Sequence, residues 1–128
     1  MQDRPTSAEL LETLADLLEE QLLPATQGPL RHQVRVAGNL CRILEREARL
    51  GGPQDDREAE LLRDVLGPVA EGSDTLELNR RLAEALKRGQ DPALERKAWQ
   101  ALIEIVRGKL SIAKPGHDAY DFQGELPE

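Results

Sequence analysis

Aromatic side chains are almost missing from this chain, which has one Trp, one Tyr and one Phe among 128 residues. That removes the stacking platforms on which proteins hold single-stranded nucleic acid. Cations are outnumbered too, 17 Lys and Arg against 24 Asp and Glu, and the net charge of −7 opposes the phosphate neutralisation that drives duplex binding. Nucleic acid is therefore not expected as a ligand. The single cysteine, Cys41, excludes a disulfide framework. No apolar run approaches the roughly 20 residues of a membrane span, and no segment has the layout of a signal peptide, so the chain reads as cytoplasmic with no membrane partner. Catalytic signatures are lacking as well. GxSxG, Walker and dinucleotide fingerprints are absent, and His32, Cys41, His117 and Asp118 lack the spacing of HExxH or CxxC ligands. No catalytic residue, cofactor or metal is expected.

What the chain does have is helical periodicity, with no strand pattern and no repeat. The pattern predicts an all-α, single-domain bundle of about five amphipathic helices with short connections over residues 1–115, followed by a flexible tail at 116–128. Thr6-Ser7-Ala8-Glu9 has capping-box spacing and starts a first helix that Pro24 ends. Leu10, Leu11, Leu14, Leu17, Leu18 and Leu22 share one side of it, opposite Glu9, Glu12, Asp16, Glu19 and Glu20. Pro29 opens the organising helix, Leu30 to Leu50, which Gly51 and Gly52 close as a left-handed cap. Pro53 opens a third helix carrying Leu61, Leu62, Val65 and Leu66. Asp74 caps a fourth that ends at Gly89, with Leu76, Leu78, Leu82, Ala83 and Leu86 as its buried side. Asp91 and Pro92 launch the last, whose apolar side is Leu94, Ala98, Leu102, Ile105, Val106 and Leu110.

The organising helix has two opposed faces. Advancing about 100° per residue, Leu30, Val34, Ala37, Cys41, Leu44 and Ala48 fall in one sector, widened by Val36, Leu40 and Ile43 to about half the helix. A face that wide should touch several other helices. Arg31, Arg35, Arg42, Arg46 and Arg49 fall on the remaining side as a cationic ridge. That ridge admits three readings: it lies against the acidic side of the first helix or is simply solvated, it docks an acidic partner protein, or it binds a phosphate-bearing ligand. His32 and Asn39 border the ridge near Arg35, where the three could grip a carboxylate or cap a loop.

Three polar residues interrupt apolar arcs: Glu47, Asn79 and Lys109. Either Glu47 pairs with Lys109 inside the core while Asn79 satisfies neighbouring backbone groups, or Glu47 and Lys109, both near helix ends, reach out to water. A lysine of lowered pKa doing base chemistry is the third option.

The opening MQDRPTSAELL, the segment RHQVRVAGNLCRILERE, the LNRRLAEAL stretch and the closing GKLSIAKP resemble a bacterial domain-of-unknown-function family of small helical proteins. Its members are encoded beside aminoglycoside-phosphotransferase-like kinases and acyl-CoA dehydrogenases. The likeness covers nearly the whole chain to Pro115 and stops there, since relatives carry an asparagine where this chain has Lys114. The family's histidine, arginine and asparagine fall on His32, Arg35 and Asn39, its glutamate on Glu47, its second asparagine on Asn79 and its lysine on Lys109. The resemblance implies a non-catalytic accessory subunit of such a kinase, one that acts on hydroxyacyl-CoA or related acids. On that view the arginine ridge or the His32–Asn39 patch contacts the kinase. The alternatives are a self-associating helical bundle, hence a homo-oligomer, or a small-ligand binder with no kinase partner.

Overall fold

The computed structural model describes residues 3–68 and 72–116. Among them there are four helices and no strand. Tyr120, Phe122, His117, Asp118 and nearly all of the expected tail lie outside the described residues. Among the described residues no helix is long and apolar enough to cross a membrane.

The first helix, α1, is α-helical over Ser7–Asp16, π-helical over Leu17–Leu22 and α-helical again over Leu23–Ala25. Its start is the capping box: Thr6 Oγ1 accepts from the Glu9 amide at 3.1 Å while the Thr6 amide donates to Glu9 Oε2 at 3.0 Å. Pro24 does not stop the helix on its own. The widened π segment, where the Leu23 amide donates to Leu18 O five residues back, runs directly into the proline that has no amide to donate. The chain leaves the helix at Thr26 instead.

The main departure from expectation is α2, Gly28–Leu66, one helix of 39 residues where two were expected. Gly51 and Gly52 do not act as a cap, because neither has the positive φ that a left-handed cap requires. Pro53 sits inside the helix. Its ring removes a single amide, the one that would bond the Arg49 carbonyl, and the helix continues past it. This is why four helices replace five.

The remaining two helices, α3 at Thr75–Arg88 and α4 at Pro92–Ala113, begin and end on residues that carry the expected cap chemistry. Asp74 accepts from the Glu77 amide at 2.8 Å, Gly89 at φ 64° terminates α3, and Asp91 accepts from the amides of Ala93 and Leu94.

The chain divides into two compact units, Met1–Gly52 and Pro53–Glu128. The second holds the core: Ala59, Leu62, Leu78, Leu82, Ala98 and Ile105, with Leu61, Val65, Leu66, Leu86 and Leu102 packed against them. Leu76 and Val106, expected in that core, are exposed. Leu76 lies about 200° round the helix from Leu78, on the opposite side of α3. In the first unit Ala15 is the buried hydrophobic residue among those described.

Candidate functional site

The first unit is an antiparallel hairpin of α1 and the leading part of α2, and its contacts decide what became of the arginine ridge. Arg42 Nη2 donates to Asp16 Oδ1 at 2.7 Å and to Glu19 Oε2 at 2.9 Å, tying the helices together across their facing sides. Hydrogen bonds to Glu19, then to Asp16, raise the pKa of this guanidinium above its ordinary value. Gly38 makes room for the crossing, since a Cβ there would stand 3.1 Å from Glu19 Cγ. Arg31 Nη1 donates to Leu23 O at 3.0 Å, and Arg49 pairs with Glu45 at 3.0 Å. Arg46 is half-buried and is engaged as well. Arg35, His32 and Asn39 are exposed. The ridge is therefore largely occupied within its own unit, and an open surface of five free arginines is not what the fold builds.

What the hairpin presents instead is apolar. Leu10, Leu14, Leu17 and Leu22 on α1 and Leu30, Val36, Leu40 and Leu44 on α2 are all exposed, Leu30 at 56 % and Leu40 at 54 %. The wide apolar arc of the organising helix was expected to touch several helices; here Val34, Ala37, Cys41 and Ile43 are half-buried, while Leu30, Val36, Leu40, Leu44 and Ala48 lie open because Gly38 and Arg42 turn another side of α2 towards α1. In helical angle Leu17 lies about half a turn from the sector of Ala15 and Glu19 that faces α2, and Leu40 about half a turn from the sector of Gly38 and Arg42 that faces α1, so these side chains stand on the outer flanks of the hairpin. Together the eight, each about half exposed, leave several hundred Å² of apolar surface spread over the two helices. Covering each one completely is worth roughly 1 kcal/mol, so the hairpin holds several kcal/mol of unused burial.

The polar misfits resolve differently in the second unit. The buried charge is Glu58, with a side chain only 7 % exposed, and not Glu47. Asn79 Nδ2 donates to Glu58 Oε1 at 3.1 Å and to Thr75 O at 3.0 Å, and Lys109 Nζ lies 3.3 Å from the same Glu58 oxygen. Two of the three misfits, Asn79 and Lys109, thus meet on one carboxylate. The pairing of Lys109 with Glu47 is corrected by this geometry. Glu47 is exposed, with its carboxylate over Gly51 one turn along its own helix. Lys109 keeps 64 % of its side chain in solvent while its ammonium neutralises Glu58 from the edge.

Glu58 was missed although the signal was present. It stands four residues before Leu62 and seven before Val65, the spacing of a residue on the apolar side of that helix. An open cavity of about 340 Å³ in the second unit is lined by Leu61, Asp64, Val65, Lys97, Gln100, Ala101 and Glu104, and Lys109 is not among them. Glu104 is held there by Arg57, at 2.8 Å from its Nε. Among the described residues no group of three His, Cys, Asp or Glu is placed to hold a metal ion.

No curated protein matches the chain. No solved structure matches it either. One family model, described as a domain of unknown function (DUF6285), matches residues 24–117. That range takes in most of the chain, including α2, α3, α4 and the Glu58, Asn79 and Lys109 cluster, and the chain belongs to this family.

Proposed function

We propose that this protein is a non-catalytic accessory subunit that works by docking, and that its assembly is a cytoplasmic one built around a phosphotransferase-like kinase acting on hydroxyacyl-CoA or related acids. The observation that carries the docking reading is the set of large apolar side chains exposed on both helices of the N-terminal hairpin. Apolar surface of that extent gains free energy on being covered. The kinase is suggested by the resemblance of RHQVRVAGNLCRILERE, LNRRLAEAL and GKLSIAKP to proteins encoded beside such enzymes. Exposed His32, Arg35 and Asn39 border the hairpin and offer donors for a carboxylate on the kinase.

Co-expression with the kinase encoded nearby is the direct test. The tagged chain should retain the kinase through purification, and Arg35→Glu should weaken that retention without altering the helicity of the chain. Arg35 is the clean choice because Arg42→Glu would also break the hairpin's own link to Asp16 and Glu19. A kinase that is equally active and equally soluble without this chain, and that never co-purifies with it, contradicts the proposal.

A further inference from the structure

We infer that the step Gly51-Gly52-Pro53 is a two-state joint: α2 runs through it unbroken in one state and parts there into two capped helices in the other. The structure holds the unbroken state, with neither Gly51 nor Gly52 at positive φ and Pro53 inside the helix. The sequence supports that state poorly. Glycine and proline are the two poorest residues in a helix interior, and here three of them are consecutive. Pro53 leaves the Arg49 carbonyl without its amide. Side chains four residues apart brace successive turns, and the two glycines remove that brace from the pairs 47 with 51, 48 with 52, 51 with 55 and 52 with 56.

Parted, the same residues become good helix ends. Gly51 suits the left-handed position that closes a helix ending at Leu50. Gly52 suits the cap of a helix beginning at Pro53, where φ is already set and the missing amide would have had no partner in any case. Asp55 and Asp56 then lie in the first turn of the new helix and Arg49 in the last turn of the old one, each beside the pole of the helix dipole that favours its charge. A segment that carries complete stop and start signals, and yet is helical throughout, holds two arrangements close in free energy.

The place of the joint decides what opening it does. The compact units divide between Gly52 and Pro53. The contacts of Arg42 with Asp16 and Glu19 and of Arg31 with Leu23 all lie before it, and those of Glu58 with Asn79 and Lys109 and of Arg57 with Glu104 all lie after it. Parting α2 there spares every one of them, so the hairpin turns as one body while the second unit keeps its core.

Gly52→Ala combined with Pro53→Ala restores the missing amide and removes the cap and first residue of the new helix, so it should hold α2 in the unbroken state. Hydrogen exchange reads the opening. Amides of residues 54–57, which lose their partners when the helix parts, should exchange about tenfold or more faster in the wild-type chain than in this variant, while those of residues 60–65 should not differ. Nitroxide labels on a chain carrying Cys41→Ser, Leu40→Cys and Asp64→Cys read the turning. An unbroken α2 holds the two positions roughly 36 Å apart, and the natural joint should add a population at shorter distances that the alanine pair abolishes. Residues 54–57 as slow in the wild-type chain as in the variant would overturn the joint, and fast exchange with one and the same distance in both would overturn the turning of the hairpin. Neither measurement involves the kinase, so the inference stands or falls apart from the accessory role.

Discussion

The two units of this chain spend similar sequences in opposite ways. Both are made of amphipathic helices rich in leucine, yet residues 53–116 bury Leu62 and Leu78 completely, whereas the hairpin of α1 and α2 leaves eight large apolar side chains about half in water. The difference comes from how many helices share a core. Three helix segments can surround a leucine, but two in contact along Ala15, Gly38 and the Arg42 ion pairs enclose almost nothing. Amphipathicity states that a face is apolar; the number of neighbours within reach states whether it is covered. The same contrast applies to charge. In the second unit a buried carboxylate is neutralised, while in the first the ion pairs sit on the seam of a hairpin that has no interior.

The comparison is broken most directly by truncating one leucine in each unit. Leu62→Ala should cost about 3 kcal/mol of folding stability, in the range of a well-packed leucine losing its cavity lining, whereas Leu40→Ala should change the stability of the dilute chain by no more than about 0.5 kcal/mol. Urea unfolding followed through Trp99, which lies in the second unit, reads the first, and far-ultraviolet circular dichroism, which follows all the helices, reads the second. Next in size is the buried carboxylate. Glu58→Ala should cost about 2 kcal/mol by removing the acceptor that the Asn79 amide shares with the Lys109 ammonium, and Lys109→Met about 1 kcal/mol because its ammonium is mostly solvated. A double-mutant cycle on the pair should return a positive coupling smaller than either single loss.

The first unit has its own, weaker counterpart. Arg42→Met should cost about 1 kcal/mol, since its two carboxylate partners are substantially exposed, and the helix content lost should map to residues 7–25 by hydrogen exchange. Gly52→Ala sharpens the reading of α2 as one helix. Nothing stands within 4 Å of a Cβ placed there, so a helical Gly52 should give way to alanine with a gain of about 0.5–1 kcal/mol in thermal unfolding. If Gly52 capped a helix in the left-handed region, the same change would destabilise.

The smallest effect concerns pH. Hydrogen bonds from Arg80, then Arg81, hold the Glu77 carboxyl down at about 2 from an ordinary 4.5. A depressed carboxylate contributes stability that is fully present above the unfolded value and is lost as pH falls through that window. Glu77→Gln should therefore lower the melting temperature slightly at neutral pH and flatten its fall between pH 4.5 and 2, so that variant and wild type converge in acid.

Local chemistry was legible in the sequence, and distant pairing was not. The caps at Thr6, Asp74 and Asp91 and the left-handed Gly89 follow from residues within four positions of one another, and all are present. The apolar side of residues 61–66 and the pairing of Leu78 with Leu82 followed from period alone. Gly51-Gly52-Pro53 has every mark of a terminator, but a helix held by contacts on either side of it absorbs one missing amide. The arginine ridge was visible as a stripe, yet its fate depended on Asp16 and Glu19, 26 and 23 residues away from Arg42. Glu47 and Glu58 show the same limit. Both are acids beside leucines in the same helix, and only the arrival of Asn79 and Lys109 from other helices distinguishes them.

Hydrogen exchange on the full chain, read unit by unit, tests the central contrast most directly. Amides of α1 and of residues 28–50 should exchange faster than those of α3 and α4, because the hairpin encloses almost no core. Hairpin amides as protected as those of α3 would show that the hairpin is complete by itself and would contradict the account.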